Sequence, residues 1–102
     1  MPKITIPQGL ACIYYSPGDE AAFFGWLQSI PGVIKVEGRG RRLLVTLRSR
    51  QVSDLALREL IGLHMRYRLP MRSLAQFRTP KNEAWFGDRK MFWYKKIFGR
   101  SR

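Results

Sequence analysis

The chain has 102 residues, 45% hydrophobic and 13% aromatic, with a formal net charge of +12. That length suits one hydrophobic core rather than two, and the apolar content is too high for a disordered chain. Cys12, the only cysteine, excludes an intramolecular disulfide and a cysteine-based zinc cluster, and no apolar run approaches a membrane span. A single domain over residues 1–102 is therefore expected, with its core at about 11–78 and a helical tail at about 79–99. The unpaired thiol and the absence of a signal-like apolar run predict a cytoplasmic setting.

The first predicted strand is Ala11 to Tyr15, apolar and rich in β-formers, stopped by Ser16-Pro17-Gly18. The stop doubles as a helix start. Ser16 suits the N-cap, Pro17 the first helical position, and Asp19 the place of a capping acid. The helix predicted over about 17–29 carries Phe23, Trp26, Leu27 and Ile30 at i, i+3, i+4 and i+7, a single core-facing stripe. Pro31-Gly32 ends it. Val33 to Glu37 alternates as a second strand, Gly38-Arg39-Gly40 supplies a turn, and Arg41 to Arg48 is the clearest strand. There Leu43, Val45 and Leu47 share one face, with Arg42, Leu44, Thr46 and Arg48 on the other.

Ser53 caps a second predicted helix, in which Leu57, Leu60, Ile61 and His64 form one stripe and which ends near Tyr67 to Leu69. Pro70 to Phe77 fits either a short helix or a weak strand, and Pro70 near a first turn favours helix. The tail then offers Thr79-Pro80 as a helix start, Asn82 to Phe86, and a last helix from about Arg89 to Phe98 closed by Gly99. Met91, Tyr94 and Phe98 would anchor that helix, with Trp93 and Ile97 widening the stripe. The fold class is α+β: a small sheet with a β-α-β-β-α core and a helical C-terminal extension. A strand at 70–77 would complete the ferredoxin-like βαββαβ order; a helix there leaves three strands with helices on one face.

Catalytic chemistry is poorly supplied. Cys12 and His64 are the only thiol and imidazole and both fall on apolar stripes, so core roles explain them; a Cys12–His64 pair is the one sharp alternative. Asp19, Glu20 and Asp54 suit first turns of helices, Glu59 lies one helical turn from surface arginines, and Gly38-Arg39-Gly40 lacks the pattern of a phosphate loop. No catalytic residue, metal site or cofactor is expected.

Charge carries the remaining signal. Residues 1–38 balance at −1 and residues 39–102 at +13, and thirteen of the nineteen basic residues are arginine. The guanidinium fork matches phosphate and carboxylate oxygens. Three acid-free blocks stand out: Arg39, Arg41, Arg42, Arg48 and Arg50; then Arg66, Arg68, Arg72, Arg78 and Lys81; then Lys95, Lys96, Arg100 and Arg102. The first and third are the candidate polyanion contacts. A charge of this size exceeds what solubility asks of a small domain. The expected function is a non-enzymatic basic binding protein with nucleic acid as its partner. The alternative is a protein-interaction module that docks an acidic partner through a sheet edge or the aromatic C-terminal helix. Six of the thirteen aromatics crowd into residues 85–98 there, among lysines and arginines.

Overall fold

The computed structural model describes residues 1–9 and 12–99. Its elements run β1 (Lys3–Pro7), α1 (Pro17–Ser29), β2 (Val33–Arg39), β3 (Arg42–Leu47), α2 (Asp54–Arg66), a 3-10 helix (Arg72–Phe77), α3 (Glu83–Phe86) and α4 (Tyr94–Phe98). The three strands are ordered β1-β3-β2, with β3 antiparallel to both neighbours. β1 and β2 are thus parallel to each other across β3, with α1 as their crossover. No helix among the described residues is long and apolar enough to cross a membrane.

The first strand is not where its apolar run predicted. Ala11 lies outside the described residues, and Cys12 to Tyr15 form no strand; the strand is Lys-Ile-Thr-Ile-Pro at residues 3–7. Ile4 and Ile6 alternate inward and are fully buried, whereas Ile13 and Tyr15 are exposed. Pro7 sits at the end of an edge strand, where a missing donor costs least. Cys12 instead belongs to a turn that follows Gly9, its N–H donating to the Gly9 carbonyl at 3.1 Å.

Both main helices begin as predicted. Ser16 Oγ accepts from the Asp19 N–H at 3.1 Å, and Ser53 Oγ from the Ala56 N–H at 3.1 Å. Asp19 reaches back to the Tyr15 N–H (2.9 Å) and also accepts from the Tyr67 hydroxyl (3.0 Å), which ties the start of α1 to the end of α2. Glu59, expected to answer nearby arginines, accepts from Trp26 Nε1 at 2.9 Å and joins the same two helices midway. The predicted stripe on α2, Leu57, Leu60, Ile61 and His64, is buried throughout. Phe23 and Leu27 of α1 meet it, so both helices cover one face of the sheet.

Pro70 to Phe77 resolves towards helix: Arg72–Phe77 is a 3-10 helix that lies along the outer edge of β1, where a fourth strand would pair. Gln76 Nε2 donates to the Lys3 carbonyl at 3.1 Å there. The ferredoxin-like alternative is therefore not completed among the described residues. The tail folds back onto this segment. Buried Asn82 donates to the Phe77 carbonyl (2.8 Å) and accepts from the Thr79 N–H (2.9 Å), fixing the turn into α3.

The last helix is shorter than predicted, starting at Tyr94 rather than Arg89. Its buried anchors are Trp93 and Ile97, one turn apart, while Met91, Tyr94 and Phe98 are half-buried. Trp93 Nε1 donates to the Phe86 carbonyl at 3.0 Å. A five-residue helix has no intrinsic stability, and burial of each such apolar side chain contributes about 1.5–3 kcal/mol towards holding it.

His64 is 1% exposed. Its Nδ1–H donates to the Leu60 carbonyl at 2.7 Å, and Nε2 has no partner among the described residues. Burial depresses its pKa below the ordinary 6.5, only partly opposed by the Leu60 bond. The unfolded chain then binds the proton more readily, so stability is intact above the unfolded pKa and falls as pH drops below it. The urea midpoint should decline between about pH 6.5 and pH 5, and His64→Leu should flatten that decline. An equal decline in both proteins would contradict this account of the ring.

Candidate polyanion interface

With α1 and α2 on one side, the opposite face of the sheet is more open, its cations exposed although Thr46 at its centre is buried, at 8% exposure. Cross-strand register determines what stands on it. The inward row of β3 is Leu43, Val45 and Leu47, all buried. The outward positions form three rows: Lys3–Thr46–Lys35, Thr5–Leu44–Glu37 and Pro7–Arg42–Arg39. Two arginines thus stand side by side at the hairpin end and two lysines flank Thr46 at the other. From strand spacing and rise, the rows of cations lie about 13 Å apart along the strands, and the two lysines about 10 Å apart across them.

The hairpin turn differs by two residues from the predicted one. Arg39 and Arg42 are opposite each other, so the turn is Gly40-Arg41, with Gly40 at φ +62° as a type II′ turn requires. Arg39 is therefore a strand residue, and Arg41 occupies the turn. The Arg41 carbonyl accepts from the Gln8 N–H at 2.8 Å, which binds the turn to the end of β1.

Glu37 is the one acid on this face. Lys35 Nζ and Arg39 Nη2 both approach it at 3.3 Å, and its side chain is 25% exposed. Partial desolvation opposes its ionisation, but the Lys35 hydrogen bond and the charges of Arg39 and Lys35 outweigh it and hold the carboxyl below its ordinary 4.5. Arg41, Arg42, Arg48 and Arg50 are exposed with no acidic partner among the described residues. Arg48 still borders the sheet, its N–H donating to the Gly32 carbonyl at 2.8 Å.

The other blocks are placed differently. Lys95 and Lys96 are exposed on α4, which packs on the 3-10 helix, so this block belongs to a different part of the fold from the hairpin. Arg100 and Arg102 lie outside the described residues. In the middle block Arg78 is structural. It makes a two-pronged pair with Glu83, Nε and Nη2 each at 2.6 Å, while its guanidinium stacks 4.6 Å from the Phe98 ring centre. Arg58, outside every predicted block, lies 4.0 Å over Trp85.

No hydrogen bond joins Cys12 to His64 among the described residues. The thiol is buried beside Tyr14, whose pKa is raised chiefly by its own burial and then by the Cys12 contact, while His64 bonds only Leu60. Among the described residues no three His, Cys, Asp or Glu side chains are grouped to hold a metal ion. Comparison with family models, curated proteins and solved structures finds no match to this chain.

Sequence reasoning missed Lys3 and Lys35, which belong to the nearly neutral first third of the chain. Only the pairing of β1 and β2 with β3 brings them to the arginine face; the alternating Ile4 and Ile6 were the available signal for the first of them.

The distinct roles of the basic residues can be separated by Arg78→Ala. It should lower the thermal midpoint and expose residues 79–99 to limited proteolysis while polyanion affinity stays unchanged. The reverse pattern, lost affinity with an unchanged midpoint, would return Arg78 to the binding surface.

Proposed function

We propose that the chain is a non-enzymatic nucleic-acid-binding protein that holds backbone phosphates against the open face of its sheet. The observation that carries this reading is the adjacency of Arg39 and Arg42, set across the open face from Lys3 and Lys35 with a single acid among them. Paired guanidinium forks suit phosphate oxygens, and cations about 10–13 Å apart suit a backbone crossing the sheet.

The centre of the face favours a polyanion over an acidic protein. Protein interfaces draw most of their affinity from a buried aromatic or apolar anchor, and here the only apolar side chain in the middle row is half-buried Leu44, between Thr5 and Glu37. The face also has no aromatic for base stacking, so contacts would be made to phosphates and carry little sequence preference. Docking through the aromatic tail has less support. Phe86, Trp93 and Ile97 are buried, and of the tail's six aromatics Phe92 alone is exposed.

Fluorescence anisotropy with labelled single- and double-stranded oligonucleotides over a salt series tests the proposal. Each neutralised phosphate contributes about −0.7 to −0.9 to the slope of log affinity against log salt. Arg39→Ala/Arg42→Ala should flatten that slope by roughly two such increments and weaken all sequences alike, whereas Lys95→Ala/Lys96→Ala should change it little. Absence of binding by nucleic-acid-free wild-type protein at low salt would end the proposal.

A further inference from the structure

β1 has both edges occupied, by β3 and by the 3-10 helix, but β2 has β3 on one side only, and no described element covers its other edge. Free edges are usually blunted, and β2 has a bulge between Val33 and Lys35 that leaves Ile34 unpaired with β3. What is unusual is the surface beside that edge. A shallow, open depression lined by Gln28, Val33, Ile34, Lys35 and Val36 runs along the junction of β2 with α1, and Ile34 is 44% exposed. Gly25 and Ala21 lie three and seven residues before Gln28, on the same helical stripe, and both are exposed. On a chain of charge +12, this stripe is small and uncharged.

We infer that two copies of the chain associate by antiparallel pairing of their β2 edges about a two-fold axis at Val36. The charges of β2 specify that register. Pairing centred on Val36 sets Lys35 opposite Glu37 of the second copy and Glu37 opposite Lys35 of the second copy, on the same sheet face. Both cross-strand ion pairs arise from one symmetric register, and Val36 meets Val36. Shifting the register by two residues, centred on Lys35 or Glu37, sets like charges opposite each other. The small residues of the α1 stripe let the two α1 helices flank the joint without collision, and exposed Ile34 gains cover. The perpendicular two-fold keeps the helices on one side and joins the two open faces into one sheet of twice the width. The association itself stands on the β2 edge alone and does not rest on nucleic-acid binding.

Light scattering on size-exclusion fractions of protein stripped of nucleic acid beforehand and returned to low salt, where exposed ion pairs are not screened, reads the mass directly. Wild-type protein should approach twice the 11.9 kDa chain mass as concentration rises. Lys35→Glu should shift the population to monomer with unchanged far-ultraviolet circular dichroism, and Lys35→Glu/Glu37→Lys should restore the dimer. A monomeric wild type at every attainable concentration would overturn the inference, as would a Lys35→Glu variant that stays dimeric or a double exchange that fails to restore pairing.

Discussion

The structure depends on β3 being paired along both edges while covered on only one face. Its alternation imposes this arrangement. Leu43, Val45 and Leu47 must be buried, so α1 and α2 pack on their side, and Arg42, Leu44 and Thr46 are necessarily presented on the other. A shift of one residue in register would bury Arg42 and expose Val45, so the hydrophobic pattern that stabilises the sheet also determines which cations share its open face. The proposed binding surface is in this sense the reverse side of the core.

The tail completes the division. The 3-10 helix closes the β1 edge, and α3 and α4 pack behind it through Phe86, Trp93 and Ile97. These contacts keep the aromatic residues in the core rather than on the open face. They also draw two arginines out of the surface charge: Arg78 is clamped between Glu83 and Phe98, and Arg58 lies over Trp85. A basic residue's position in a charge-rich block therefore says little about its availability; what it packs against decides.

Features governed by local chemistry were legible in the sequence. The N-caps Ser16 and Ser53, the stripe from Leu57 to His64 and the inward row of β3 depend on neighbours within a few residues, and each stands where its pattern placed it. Features governed by partners distant in sequence were not. Ala11 to Tyr15 has better strand composition than Lys3 to Pro7, yet only the latter has an edge to pair with, and composition cannot express that. The same limit hid Lys3 and Lys35, whose place beside the arginines is a property of register. In the tail, the pattern made Met91, Tyr94 and Phe98 the anchors with Trp93 and Ile97 only widening their stripe, and the burial of Trp93 and Ile97 instead follows from where α4 begins.

The proposal turns on the open sheet face, and not the tail, receiving the polyanion. Backbone amide chemical shifts recorded during titration with a short unlabelled oligonucleotide test it residue by residue. The largest changes should fall on β1, β2 and β3 around Lys3, Lys35, Arg39 and Arg42, with Thr46 and Leu44 between them. Changes concentrated on Phe92 to Lys96, with the strands unmoved, would contradict it.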